Sequence, residues 1–463
     1  MKNINERSDK IGAFFVWLNK DSNSFYESNT AFLDGEGIPL HHRIYVSRYT
    51  PTVIVLLNEK DRERLTKTYE ITPYLFTKLE KMSDEIILSD INADFVFDST
   101  DVPKDSVKAG MIAVENLIYD DMAKSLEGLT EEGQIIVFPS IIPPKTDRHP
   151  TCVLSEIIGR KINADGVDFS GVARGTTVYF DALYSIKELF ESIERMLDEG
   201  VRIINLSAGV FHDGIYSDLD RQIDRLTLNS DFLLVAAAGN YEKVSSPAKA
   251  YNALSVGNAV TKSSALSPLI PPYLMSKGSA YLTNNSMPHK PEISAPGEWV
   301  GFVDREGTGD FSNFGTSFAT PLVTGAACQI LNIKSNISYL TLKGLLLLSA
   351  MGEAISEEDN PNVTNSLMRE KSGYGLLDAE KALALANECE IMEGRLEGDI
   401  EKEINAEEFL FIFELDEEKN YPRLFRDGEE ITLYPQTSVL VKKSTRSVRI
   451  MGIGDRRFSL ISL

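Results

Sequence analysis

Cysteine is scarce in this chain, three residues in 463, and Cys152, Cys328 and Cys389 fall in no CxxC or histidine-rich spacing. A set that is odd in number and widely scattered argues against a disulfide framework and against a zinc site, and free thiols are expected. Long uncharged apolar runs are missing too. The richest stretch, LKGLLLLSAMG, is interrupted by Lys343 and is shorter than the roughly 18 residues that a bilayer span needs. The first twenty residues carry charges throughout and lack the apolar core of a secretory signal, so a soluble, cytoplasmic protein is expected. Positive charge is in deficit: 47 Lys and Arg face 69 Asp and Glu, a net charge of −22 that repels phosphate backbones and anionic lipid. Neither nucleic acid nor a membrane is an expected partner. No Asp/Asn-dense loop of the DxDxDG kind occurs, so no metal and no cofactor are expected. Histidine is scarce as well, with only His41, His42, His149, His212 and His289.

The composition that remains, 43% hydrophobic and 25% charged, is that of a globular chain long enough for one large domain and one or two smaller ones. From Gly110 onward, apolar β-rich runs alternate with amphipathic helical ones. Ala109 to Val114, Val178 to Leu183, Val201 to Leu206, Leu233 to Ala238 and Ala253 to Val256 read as strands, and Ile186, Leu189, Phe190, Ile193, Met196 and Leu197 mark one face of a helix stopped by Gly200. This pattern predicts an α/β fold with a mainly parallel sheet flanked by helices. Residues 1–104 read as a small α+β unit, with strands Val53 to Leu57 and Glu85 to Leu88 around a charged helix from about Lys60. Residues 105–386 form the main domain. Residues 387–463 read as a heavily acidic connector leading to a small β module that contains Phe409 to Phe413 and Ser438 to Val441.

Three segments of the main domain carry chemistry. Ser317 lies between small residues in GTSFATP, ahead of an apolar helix from Leu322 to Ile333, and a serine so presented is a nucleophile if a base stands near it. His149 begins HPTCVLSEIIG, where a loop hands over to a helix; standing alone it reads as a surface histidine before an N-cap threonine, Thr151. Asn240 ends the strand AAAGN, and its side-chain amide can donate to a developing oxyanion, while Ala237, Ala238 and Gly239 are small enough to let a substrate backbone approach. Ser207, Ala208 and Gly209 end the preceding strand in a similar loop, suited to pairing with an extended peptide. Cys152 follows His149 at helical spacing and reads as a small core hydrophobe, not a nucleophile.

These segments, in this order and together with GVARGTTVYF, KPEISAPG and GYGLLDAEKAL, resemble those of the subtilisin-type serine proteases, the subtilases, over about residues 105 to 386. The resemblance implies a subtilisin-like fold and a serine endopeptidase acting on a polypeptide substrate. It makes Ser317 the nucleophile, His149 the general base, Asn240 with the Ser317 N–H the oxyanion site, and Ser207 to Gly209 the wall along which substrate lies. At the acid the chain departs from the family. An Asp followed by a small residue and Gly is expected, but Glu115-Asn116-Leu117 stands there, 34 residues before His149. Either Glu115 serves as the acid, or Asp120 or Asp121 substitutes, or the orienting charge is absent. Leu322 is a second departure, where many relatives have histidine. The N-terminal unit loosely resembles an inhibitory propeptide, which implies a zymogen with the segment ending near residue 105 passing the cleft; a permanent accessory domain is the other reading. The alternative in another functional class is a weak or inactive pseudoprotease that binds peptide as a regulatory module.

Overall fold

The computed structural model describes residues 11–18, 24–74, 80–81, 106–117, 124–139, 147–164, 167–210, 215–240, 243–261, 273–276, 278–282, 287–303, 309–351, 371–452 and 454–463. The chain forms two compact units, Met1–Lys78 with Tyr184–Asp198, and Leu79–Leu183 with Glu199–Leu463.

In the first unit, four antiparallel strands are ordered Arg43–Val46, Thr52–Leu57, Gly12–Trp17, Glu70–Pro73. The central strand, TVIVLL, is rich in β-branched residues, and a short charged helix follows it at Glu59–Leu65, with Asn58 capping the Asp61 N–H at 2.8 Å. The helix Ile186–Asp198 belongs to this unit. Its expected apolar face is buried, with Phe190 against the rings of Phe15 and Tyr45. Buried Glu194 accepts from the Tyr45 and Ser47 hydroxyls, each at 2.6 Å. The strand expected at Glu85 to Leu88 lies outside the described residues.

The second unit is built on an eight-stranded sheet. Its order is Tyr273–Met275, Leu254–Thr261, Leu233–Ala237, Ile203–Leu206, Lys108–Ala113, Thr177–Ala182, Ile135–Val137, with Ile293–Pro296 also paired to Leu254–Thr261. All of these pairings are parallel except that of Tyr273–Met275. Parallel strands covered on both faces read as near-continuous apolar runs, which is why the central strands were legible in the sequence. Helices Arg148–Ile158 and Thr316–Ile333 pack on each other within the main core, which also holds Cys152 and Cys328 as free thiols.

The acidic connector expected after residue 387 is instead regular structure. Glu390–Arg395 and Asp399–Phe413 are strands of a six-stranded antiparallel sheet, and Ser438–Met451 is a third long one. Along DIEKEINAEEF, the exposed Asp399, Glu401, Glu403 and Glu407 alternate with a more buried face of Ile400, Lys402, Ile404 and Ala406. A high charge count hid that period of two. This sheet shares the main core, to which it contributes Leu410, Ile412 and Ile461. Among the described residues, no helix is long and apolar enough to cross a membrane.

Candidate active site

Ser317 is the second residue of the helix Thr316–Ile333, whose N-cap Gly315 holds φ at 139°, a backbone state that disfavours any side chain. A helix start presents backbone N–H groups with no acceptor inside the helix, a field suited to negative charge. The Ser317 hydroxyl is buried and, among the described residues, takes no hydrogen bond.

His149 is the second residue of the helix Arg148–Ile158. The N-cap is Asp147, whose carboxylate accepts from the His149 N–H at 2.8 Å, and not Thr151, which lies within the helix. Pro150 explains the difference, because proline fits the first helical turn, where its missing N–H costs nothing, and so places the cap upstream. The His149 ring lies edge-on to Phe318, centroids 5.2 Å apart, which puts it beside the residue that follows Ser317.

Asn240 reaches the same turn from the other side. Its Oδ1 accepts from the Thr316 N–H at 2.8 Å and from Thr316 Oγ1 at 3.0 Å, and Thr316 Oγ1 accepts from the Gly239 N–H at 3.1 Å. A backbone N–H can only donate, so the amide oxygen must face Thr316. Ala237, Ala238 and Gly239 are buried behind it; the Ala238 carbonyl accepts from Ser245 N–H and the Gly239 carbonyl from Ala280 N–H.

Ser207 donates its hydroxyl to the Ser317 carbonyl at 2.8 Å. The next two residues, Ala208 and Gly209, form a short strand paired antiparallel with Glu80–Lys81, Ala208 opposite Lys81 and Gly209 opposite Glu80. The wall read from the sequence therefore holds an extended segment of this same chain.

Glu115 lies two residues beyond the strand Lys108–Ala113. The carbonyl of its neighbour Asn116 accepts from the Asp147 N–H at 3.1 Å, so the segment that holds Glu115 is joined to the residue that caps the helix of His149. Leu117, which stands at the family's glycine position, is fully buried in the main core. Asp120 and Asp121 lie outside the described residues. Ser317, His149, Asn240 and Ser207 thus meet on consecutive residues 316 to 318, and Glu115 is brought to the neighbouring loop. Two residues escaped the sequence reading. Thr316, which orients Asn240, gives no signal outside the fold; Asp147 was signalled by an N-capping residue type just ahead of a first-turn proline.

A model of the subtilase family matches residues 138–375, just over half of the chain, and starts beyond Glu115. Among solved structures, the chain is similar to fervidolysin from Fervidobacterium pennivorans, a keratinolytic enzyme related to subtilisin. Identity is 16%, covering 97% of this chain and 70% of that one, with a TM-score of 0.54. It is similar also to the epidermin leader peptide processing serine protease from Staphylococcus aureus, at 16% identity over 82% of this chain and 100% of the other, with a TM-score of 0.52. At such identities these likenesses are of fold. No curated protein matches the sequence. The chain belongs to the subtilase family of serine endopeptidases.

Proposed function

We propose that the chain hydrolyses peptide bonds with Ser317 as nucleophile, His149 as general base and then general acid, and Asn240 with the Ser317 N–H as the oxyanion site. Ser317 Oγ attacks the scissile carbonyl carbon while its proton passes to a His149 ring nitrogen. Collapse of the tetrahedral adduct sends that proton to the leaving amine, and water repeats the sequence on the acyl ester to release the acid and free serine. The observation that carries this reading is the meeting of three distant loops on residues 316 to 318. Glu115 is our assignment for the acid that orients His149, supported by the bond between the neighbouring residues Asn116 and Asp147. Buried free cysteines fit a reducing compartment and support a cytoplasmic setting.

The substrate in this reading is a polypeptide laid as an antiparallel strand on Ala208–Gly209, with Ala237 to Gly239 beside it. The pairing of Glu80–Lys81 with that wall supports a zymogen, because a segment already seated on the wall competes with substrate. Residues 1–104 are then an inhibitory segment removed on activation.

A fluorophosphonate probe on the purified chain tests the chemistry. The parent should label and Ser317→Ala should not, and incubation should release an N-terminal fragment from the parent alone. A parent that labels fully while staying intact would make residues 1–104 a permanent accessory domain. A silent parent would favour the pseudoprotease reading, for which the buried Leu117 at the glycine position is the supporting observation.

A further inference from the structure

The carbonyl of the nucleophile's own residue lacks its helical donor. In the helix Thr316–Ile333, the oxygen of Ser317 looks to the N–H of residue 321, and that residue is Pro321, which has none. Ser317 is fully buried, so the oxygen needs another donor, and the Ser207 hydroxyl supplies it at 2.8 Å. Ser207 Oγ in turn accepts from Asn205 Nδ2 at 3.0 Å, and Asn205 Oδ1 accepts from Thr324 Oγ1 at 2.9 Å, the shorter of that hydroxyl's two acceptor contacts, the other being the Thr320 carbonyl at 3.1 Å. Thr324 sits seven residues, about two helical turns, beyond Ser317, so the relay leaves the nucleophile helix, crosses the end of the strand Ile203–Leu206 and returns to the same helix. All four residues are buried, which shields each bond from exchange with water.

We propose that Asn205 and Thr324 are positioning residues that set the register between the substrate wall and the nucleophile. The inference rests on the reading of Ser317 as nucleophile. The wall begins at Ser207 and continues as the strand Ala208–Gly209, so a peptide paired to it delivers its carbonyl to Ser317 only if the wall and the helix start keep their relative place. Productive geometry tolerates displacements of only about 0.5 Å. Asn205 uses its amide nitrogen to hold Ser207 and its amide oxygen to receive Thr324; valine at 324 keeps the shape and removes the donor, leaving that buried oxygen unsatisfied.

The test compares two probes on the full chain. A small alkyl fluorophosphonate needs Ser317 but not the wall; a lysate-derived peptide library, with cleaved bonds read by mass spectrometry, needs both. Thr324→Val should lower the rate of peptide cleavage about tenfold while phosphonate labelling stays within about twofold, and Thr324→Ser should restore cleavage. Equal losses with both probes, or a lowered melting midpoint with neither rate changed, would make the relay structural only and overturn the proposal. So would failure of Thr324→Ser to restore cleavage, or a parent that labels yet cleaves nothing in the library. A parent that does not label removes the nucleophile reading itself, and the proposal with it.

Discussion

At Asn240 the carboxamide oxygen receives hydrogens from both the nitrogen and the hydroxyl of Thr316, so the orientation of the whole group is set by the residue next to Ser317, the proposed nucleophile. A donor held in advance costs no reorganisation when charge develops in the transition state, and in subtilisin loss of the oxyanion-site asparagine, the role proposed for Asn240, costs about 10²- to 10³-fold in kcat. Asn240→Ala should therefore lower kcat by that order with KM little changed, as measured by steady-state cleavage of a peptide. Asn240, Ser317 and His149 could be singled out in the sequence because each stands in a short motif whose residue types suit the proposed chemistry, and the fold brings all three to residues 316 to 318. Thr316 was not, because a threonine that orients a distant amide is indistinguishable in sequence from one that merely starts a helix. At Glu115 the departure in residue type was plain, but Leu117 buries its side chain in the core, so the segment differs in packing as well as in its acid. Sequence alone shows the charge and not the packing.

Among the elements, the helix Asp218–Asn229 carries the clearest dependence on pH. It opens with a capping box between Ser217 and Asp220, and one turn further on Asp224 is buried, accepting from Tyr216 Oη at 2.8 Å, Tyr251 N–H at 2.9 Å and Asn252 N–H at 2.8 Å. Burial pushes its carboxyl up to about 7, against the opposing pull of those donors. The sign follows from proton counts. Between the ordinary aspartate range and about pH 7 the folded chain holds a proton that the unfolded chain has lost, so this group's contribution to stability falls as pH rises and is flat above 7. The melting midpoint of Asp224→Asn relative to the parent should accordingly rise between pH 5 and pH 8; a constant difference would mean that Asp224 is ionised throughout. The parallel strands Lys108–Ala113, Thr177–Ala182, Ile203–Leu206 and Leu233–Ala237 and the helix Ile186–Asp198 were read from sequence within a residue or two, whereas Leu254–Thr261 was read only as far as Val256 and the short strands Ile135–Val137 and Ile293–Pro296 were not read at all. The first half of the strand Asp399–Phe413 was missed because the aspartate and glutamates on its exposed face, with Lys402 half-buried between Ile400 and Ile404 on the other, outweighed the alternation of isoleucine and alanine.

Across the whole molecule, the C-terminal sheet and the main sheet are parts of one packed unit, a relation that no local pattern in the sequence announces. Leu410, Ile412 and Ile461 lie in the main core, Asn252 exchanges hydrogen bonds of 3.0 and 3.1 Å with the Leu415 backbone, and Glu417 pairs with Arg221 and Arg225. Burial of those three aliphatic side chains is worth roughly 1.5–3 kcal/mol each, a sum comparable with the net stability of about 5–15 kcal/mol typical of a domain. A chain ending at residue 386 should consequently be insoluble or lack a cooperative melting transition; a soluble product with the parent's midpoint would show that the sheet is dispensable. The proposed chemistry rests on the one turn at residues 316 to 318, where His149, Asn240 and Ser317 come together. The measurement that addresses that turn most directly is a crystal structure of the chain after reaction with a fluorophosphonate. Phosphorus should be bonded to Ser317 Oγ, with one phosphoryl oxygen within hydrogen-bond distance of Asn240 Nδ2 and of the Ser317 N–H, and the His149 ring beside the ester oxygen. An adduct on another residue, or a phosphoryl oxygen turned away from Asn240, would contradict it.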